Sequence, residues 1–213
     1  MTANPIIEAM RDAAMFHVAQ IRRNGTPYIR HIGRVTARVM CITDSSEQAV
    51  IAAALHDVVE DVAKNEDEAK KLLADIAAKY GKIIGEMVSQ LTNPSKWTQA
   101  SRAERKAIDR RHLSFARAEV KRIKLIDRTD NLQELLTDIQ CGRETALGFA
   151  AMYVVESRQL LEESLTGVDQ ALEAKLDSPI KALGALILQK DQRTLTTMQQ
   201  TEHLNKKATA KTP

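Results

Sequence analysis

Apolar residues recur at helical spacing along most of the chain, and the apolar-polar alternation of a half-buried strand does not extend over any long stretch. We therefore predict an all-α fold with short connections between helices. The predicted helices cover residues 5–23, 30–42, 46–62, 66–80, 82–92, 101–112, 115–139, 144–176 and 179–198. The segment 49–55 is apolar on every side, which is typical of a helix at the centre of a domain.

The last part of the chain differs from the rest in its pattern. Ser178 can cap a helix and Pro179 suits a first helical turn, so we predict that a helix begins there. After residue 200 the chain becomes polar and lysine-bearing, which favours a disordered tail. The predicted organisation is one domain over residues 1–176, an accessory helix over 177–200 that could support a homo-oligomer, and a tail over 201–213.

Charge and composition exclude several classes of protein. The net charge is only +3 and aromatic residues make up 3% of the chain, so we do not expect a nucleic-acid-binding protein. Two isolated cysteines are too few for a disulfide framework. The sequence contains no run of 18 apolar residues, so we expect no membrane span, and the first 20 residues do not resemble a signal peptide. We therefore expect a cytoplasmic protein that does not bind membranes.

The segment 53–61 carries the densest chemistry of the chain. His56 and Asp57 end its apolar run. The acid pair Glu60-Asp61 follows four residues later, so a helix would bring both pairs to one end of one face. Three carboxylates beside buried surface repel one another unless a cation or strong donors compensate for their charge. The pattern favours a divalent metal site, and the alternative is a solvated helix end with an ordinary histidine.

Two further regions carry residues of the same kinds. His31 follows the turn-like segment 25–28 and starts another helical pattern. Asp127 and Asn131 lie on the apolar side of the predicted helix 115–139, where a buried polar group needs a partner. Each alone would be interpreted as an ordinary structural residue. Together with His56-Asp57, however, they provide two histidines and two aspartates.

This set of residues is the signature of the HD phosphohydrolase superfamily. Residues 22–31, 54–61 and 123–132 resemble three motifs of the RelA/SpoT-type hydrolase domains: the segment before the first metal histidine, the His-Asp and Glu-Asp motif, and the last metal-binding helix. The resemblance covers residues 8–165 approximately, and we expect no synthetase domain in the remainder. It implies an all-α HD domain that acts as a stand-alone alarmone hydrolase. Such an enzyme releases pyrophosphate from the 3′-diphosphate of (p)ppGpp and leaves GDP or GTP.

The resemblance also implies a role for each matching residue. The implied metal ligands are His31, His56, Asp57 and Asp127. The implied catalytic residues, which orient and deprotonate the attacking water, are Glu60 and Asp61. The implied contacts to the nucleotide substrate are Arg22, Arg23, Lys96, Arg102, Asn131 and Tyr153. The implied metal is manganese, one ion per chain, and mixed imidazole and carboxylate ligands also suit manganese or iron better than magnesium.

The substrate contacts have plain structural alternatives. A basic run such as the one that contains Arg102 is usually a solvated face, and the pair Arg22-Arg23 could be a solvated helix end. Tyr153, at a helix-interior spacing, could equally belong to the core. The substrate contacts therefore depend on the resemblance more than the metal ligands do.

Other functions stay open on the sequence alone. The same site could be a phosphatase or pyrophosphohydrolase for NADPH or for adenosine alarmones, and the leaving group would distinguish these reactions. A nucleotide-sensing module would bind without turnover, although the intact pair Glu60-Asp61 favours catalysis. A helical nucleic-acid-binding protein would depend on the basic segments alone and predicts a steep salt dependence of binding.

Overall fold

The structure, a computed structural model, describes residues 4–143, 147–190 and 192–211. Its α-helices are α1 (Pro5–Phe16), α2 (Ile29–Met40), α3 (Glu47–Ala54), α4 (Val58–Val62), α5 (Glu66–Tyr80), α6 (Lys82–Leu91), α7 (Arg102–Ser114), α8 (Ala118–Gln140), α9 (Leu147–Leu160), α10 (Gln170–Lys190) and α11 (Gln192–Lys211). A short 3₁₀ helix covers Pro94–Trp97, and a π-helical segment covers Leu161–Leu165. The predicted all-α fold class is confirmed.

The chain divides into two compact units. The first comprises Met1–Trp97 and Ala116–Lys124, and the second comprises Thr98–Phe115 and Leu125–Pro213. Helix α8 contributes to both, with its first residues in the first unit and the rest in the second. The predicted domain limits at residues 176 and 200 stay predictions. Within the part of the chain that the structure describes, no helix has the length and apolar character needed to cross a bilayer.

Helix α3 is the centre of the first unit. Every residue from Ala49 to Ala54 is buried, as the apolar pattern predicts, and the helix packs against α1, α2 and α6. Ser46 begins the helix by accepting a hydrogen bond from the Ala49 amide. Because α3 is enclosed, the residues that follow its last turn are held beside the core of the unit.

The predicted single helix 46–62 is wrong. Helix α3 ends at Ala54 and α4 begins at Val58, with three residues in a turn between them. The cause is local, since Nδ1 of His56 donates to the Ala53 carbonyl oxygen at 2.8 Å. In a continuous helix that carbonyl would accept from the amide of Asp57. The side chain of His56 therefore takes the place of the Asp57 amide at the end of α3.

The second unit is built around α9, which packs against α10 and α11. The predicted helix start at Pro179 is wrong, because α10 runs through this proline without a break. The fully buried residues of α10 around and beyond the proline are Leu176, Ile180, Leu183 and Ile187. They recur at helical spacing and form one continuous apolar stripe. Burial of this stripe outweighs the hydrogen bond that a proline inside a helix removes.

The predicted disorder after residue 200 is also wrong for the residues that the structure describes, since α11 extends to Lys211. Asn205 donates to the side chain of Gln159 at 2.7 Å, and Thr209 accepts from Arg110 at 2.7 Å. These hydrogen bonds attach a polar helix to α9 and α7, and a composition-based prediction does not register them. Residues 144–146 of the predicted helix 144–176 and residues 212–213 of the predicted tail lie outside the described residues.

Candidate active site

Three of the predicted metal ligands converge in the first unit. His31 lies in the first turn of α2, while His56 and Asp57 lie in the turn between α3 and α4. The two imidazoles are 0% and 1% exposed. Nε2 of His56 is 3.0 Å from Oδ2 of Asp57, and Nε2 of His31 is 3.7 Å from the same oxygen. One ligand atom of each residue lies within 4.8 Å of the other two.

The hydrogen bond of His56 to the backbone determines which ring nitrogen can bind a cation. A carbonyl oxygen only accepts, so Nδ1 of His56 carries the proton in its bond to Ala53. In the neutral ring this leaves the lone pair on Nε2, the atom directed at Asp57. Two imidazole nitrogens and a carboxylate at these distances fit a divalent transition-metal ion. The chemistry of these three side chains is therefore compatible with a metal centre.

The carboxyl group of Asp57 is ionised in this environment. Burial alone would raise its pKa, but His56 and His31 more than offset burial and hold the pKa well below the ordinary value. The hydroxyl of Tyr28 also donates to Oδ2 of Asp57 at 2.6 Å. Asp57 therefore offers an anionic donor whose orientation is fixed by a hydrogen bond from the segment before α2.

Glu60 lies on α4, one turn after Asp57. It is half-buried, and burial together with the charge of Asp57 raises its pKa above the ordinary value of 4.5, although Lys124 and Asn93 act in the opposite direction. The side-chain amide of Asn93 donates to both carboxylate oxygens at 2.9 Å, and its backbone amide donates to Oε2 at 3.3 Å. A carboxylate with a raised pKa and a fixed orientation is suited to accept a proton near neutral pH.

Asn93 was not predicted to be a functional residue. It lies in the gap between the predicted helices 82–92 and 101–112, where the structure also has the 3₁₀ helix. Its contact with Glu60 spans 33 positions of sequence, so no local pattern reveals it. The one local signal in the sequence is the position of this amide, which lies next to Pro94 and two residues after the end of α6.

Asp61 is exposed on α4, and its partner was also missed. The amide of Gln20 donates to Oδ2 of Asp61 at 2.8 Å, and Gln20 is in turn hydrogen-bonded to Nδ1 of His17 at 2.6 Å. Both partners fall in the predicted helix 5–23, whereas α1 ends at Phe16. The predicted extension of this helix is wrong because the chain folds back on itself between α1 and α2.

The predicted substrate contacts of the first unit are basic residues near the surface. The guanidinium of Arg22 lies 5.4 Å from the ring centroid of Tyr28, and Arg23 is exposed in the adjoining turn. Lys96 is exposed on the 3₁₀ helix, with its ammonium 5.7 Å from the Trp97 ring centroid. Arg22 is thus connected through Tyr28 to Asp57, and the side chains of Arg23 and Lys96 are exposed.

Asp127 and Asn131 belong to the part of α8 in the second unit. Asp127 is 3% exposed, and the side-chain amide of Asn131 donates to its Oδ1 at 2.6 Å. The prediction for Asn131 was a contact to the substrate, and in the structure its side chain orients Asp127. Helix α8 is continuous from Ala118, so Asp127 follows directly on the segment that belongs to the first unit.

The remaining predicted contacts of the second unit have protein partners. Arg102 makes two hydrogen bonds to the buried Glu156, at 2.7 and 3.0 Å. Tyr153 stacks on Phe149 with the ring centroids 5.1 Å apart, and the guanidinium of Arg128 lies 4.4 Å from its centroid. These contacts give both residues partners within the protein, and the substrate-binding roles of Arg102 and Tyr153 stay predictions.

The chain is similar to proteins of known function. A model of the HD domain family matches residues 9–154. Guanosine-3′,5′-bis(diphosphate) 3′-pyrophosphohydrolase MESH1 of Drosophila melanogaster is 29% identical over 185 residues, which cover 84% of this chain and 95% of the fly protein. The MESH1 protein of Xenopus tropicalis is 31% identical over 180 residues, which cover 81% and 90% of the two chains.

A solved structure supports the same relationship. It is described as "A metazoan ortholog of SpoT hydrolyzes ppGpp and plays a role in starvation responses", and it superposes with a TM-score of 0.67 at 27% identity. The match covers 86% of this chain and 98% of that one. The family model covers more than half of the chain, and the frog relative is aligned over nearly its whole length. The chain therefore belongs to the HD domain family and, within it, to the family of the MESH1 pyrophosphohydrolases.

Proposed function

We propose that the protein is a metal-dependent hydrolase that removes the 3′-diphosphate of (p)ppGpp as pyrophosphate and leaves GDP or GTP. The observation that carries the proposal is the cluster of His31, His56 and Asp57 with an acid pair on the helix that follows. The fly and frog relatives, which align over nearly their full length, are named for this reaction. A nucleotide is accordingly the expected substrate class.

The proposed ligands of the metal are His31, His56, Asp57 and Asp127, and the proposed metal is manganese. The two imidazoles and Asp57 offer donors that suit manganese better than magnesium, which prefers oxygen ligands alone. Asp127 is assigned from its burial, its hydrogen bond from Asn131 and the sequence motif. When bound, such a cation supplies Lewis-acid polarisation of a phosphoryl oxygen.

The acid pair on α4 supplies the proton chemistry. Glu60 takes a proton from the attacking water, because its raised pKa makes it a better base near neutral pH than an ordinary carboxylate. Asn93 keeps both oxygens of Glu60 in place. Asp61 orients the water. The water oxygen forms a bond to phosphorus and the bond from phosphorus to the ribose 3′-oxygen breaks. The 3′-oxygen takes up a proton from solvent, and Glu60 returns the proton it took from the water to solvent.

Cationic side chains are proposed to neutralise the substrate. Arg22 is held on Tyr28 next to the ligand Asp57, so its guanidinium is already oriented for a phosphate or a purine face. Arg23 and Lys96 add exposed positive charge. Arg102 would have to exchange its bond to Glu156 for one to a phosphate, which makes it the weakest of these assignments.

The test is the release of pyrophosphate from ppGpp by the purified manganese-loaded protein and its Glu60→Gln variant. We expect rapid release by the parent protein and loss of at least about 100-fold in the variant, because general-base catalysis typically contributes that much. Glu86→Gln is the matched control, since Glu86 is also half-buried and acidic but pairs with Arg117 on the surface. This control should keep the parent rate.

The products decide between the proposal and its alternatives. Pyrophosphate with GDP supports it, whereas orthophosphate released from NADPH and none from ppGpp would move the site to a phosphatase role. Tight binding of ppGpp without any product, in a protein that holds manganese, would indicate a sensing module instead.

A further inference from the structure

We propose that Gln20 is a positioning residue for catalysis: it holds the carboxylate of Asp61 in its working orientation, and His17 holds Gln20. The inference rests on the proposed function, because it assigns a task to Asp61 in the attack on phosphorus. It adds two residues of the segment between α1 and α2 to the reaction, although neither has a place in the metal-binding motif.

Backbone hydrogen bonds fix the register of this segment. Residues 20–28 form a narrow hairpin, in which the amide of Tyr28 donates to the Gln20 carbonyl at 2.9 Å and Arg22 donates to the Thr26 carbonyl at 2.8 Å. Gly25 makes the turn possible with a φ of +82°, a conformation that side chains rarely allow. The hairpin therefore places Gln20 and Tyr28 directly opposite each other.

The two opposed residues are hydrogen-bonded to two acids of the candidate active site. Tyr28 donates to Oδ2 of Asp57 at 2.6 Å, and Gln20 donates to Oδ2 of Asp61 at 2.8 Å. These acids are four residues apart: Asp57 directly precedes α4, Asp61 is the fourth of its five residues, and Glu60 lies between them in sequence. One hairpin thus fixes a proposed metal ligand and a proposed water-orienting acid.

The direction of each hydrogen bond follows from elementary chemistry. A carboxylate only accepts, so the amide nitrogen of Gln20 faces Asp61 and its oxygen faces His17. Nδ1 of His17 must then donate the proton in its 2.6 Å contact. His17 is 2% exposed and stacks on Tyr28 with the ring centroids 4.9 Å apart, so it cannot turn away. The amide of Gln20 is therefore locked in one orientation.

Stability alone does not account for this arrangement. Asp61 is exposed and its bond to Gln20 is open to water, so the bond contributes little to folding. Nε2 of His17 is buried without a hydrogen-bond partner among the described residues, which is unfavourable for stability. An exposed acid would otherwise sample several rotamers, whereas a water-orienting group requires one.

The test is a double-mutant cycle of Gln20→Ala and Asp61→Asn with ppGpp as the substrate. We expect Gln20→Ala to lower kcat by about 10-fold or more, as loss of an outer partner typically does, with KM and the unfolding midpoint little changed. Gln20→Glu, which keeps the length but lacks the donor, should lose more through repulsion. In the Asp61→Asn background the Gln20 substitution should have little further effect, since both act through one carboxylate.

Gln90→Ala is the matched control, because Gln90 is also half-buried and makes one hydrogen bond, to the Arg117 amide. It should keep the parent kcat. Additive effects of the Gln20 and Asp61 substitutions would overturn the proposal, as would a fall in stability that accounts for the lost activity.

A crystal structure of Gln20→Ala provides a readout that does not depend on the substrate. The proposal expects Asp61 to leave its present rotamer or to occupy several, with α4 unchanged. An unmoved Asp61 would overturn it. Because this result is obtained whether or not the parent protein releases pyrophosphate, failure of the positioning role and failure of the proposed function can be told apart.

Discussion

In the first unit, two imidazole nitrogens and the Tyr28 hydroxyl are all directed at one oxygen of Asp57, whereas in the second unit Arg102 and Arg110 each pair with a single carboxylate. Their partners are Glu156 and Glu163, both at 2.7 Å. Convergence of several polar atoms on one oxygen is typical of a binding centre, while one-to-one pairing is typical of structural ion pairs. The difference favours a binding centre at Asp57 and helix-to-helix attachment for the two arginine pairs of the second unit.

The largest expected effect comes from removing the Asp57 oxygen on which the two imidazole nitrogens and the Tyr28 hydroxyl converge. Asp57→Ala should abolish manganese binding and lower kcat by more than about 100-fold, beyond the range typical of changes outside the ligand set. Metal content by mass spectrometry and the rate of pyrophosphate release measure the two effects. A variant that retains one ion and the parent rate would remove the basis for distinguishing the two units.

A substitution in the second unit should instead affect stability. Arg110 is 3% exposed, and its guanidinium donates to Glu163 and Thr209. Arg110→Met should lower the free energy of unfolding by about 2 kcal/mol, because two buried hydrogen bonds are lost and Glu163 is left partly buried. Urea unfolding measures this change, and the rate per folded molecule should stay at the parent value. A large loss of rate without loss of stability would contradict the structural role.

Loss of the donors to Glu60 should change the pH dependence of the first-unit site. Asn93 lowers the pKa of Glu60, so Asn93→Ala should raise that pKa further. The base must be ionised to act, so the acid limb of kcat/KM should move to higher pH. Loss of the donor that orients the carboxylate should also lower kcat by about 10-fold. Asn65→Ala, which changes only the cap of α5, should leave the profile in place.

The smallest expected effect concerns an ordinary ion pair of the first unit. Partial burial raises the pKa of Asp12, but Lys79 and Tyr80 outweigh it and lower the pKa below 3.8. A carboxyl group whose pKa is lowered by folding stabilises the fold at pH values above its pKa in the unfolded state. This contribution is lost as the pH falls through its pKa in the folded state. Lys79→Met should therefore cost about 0.5 kcal/mol at neutral pH and nearly nothing in strong acid, since the pair is partly exposed. Urea unfolding at both pH values is the check, and an equal loss at each would contradict it.

Local patterns predicted the helices and the residue types of the site, but not the contacts that orient them. The apolar run 49–54 predicted a buried helix because burial follows hydrophobicity. The stop after Ala54 was missed because it depends on a side-chain bond of His56 to the backbone. Gln20 and Asn93 were missed because their partners lie 41 and 33 positions away. The prediction of a disordered tail was wrong for residues 201–211 because the docking of this polar part of α11 depends on a few specific hydrogen bonds.

Anomalous diffraction from crystals grown with manganese tests the central claim most directly. The account predicts one anomalous peak at bonding distance from Nε2 of His31, Nε2 of His56 and a carboxylate oxygen of Asp57. A peak bound elsewhere, or none in a protein that hydrolyses ppGpp, would contradict it.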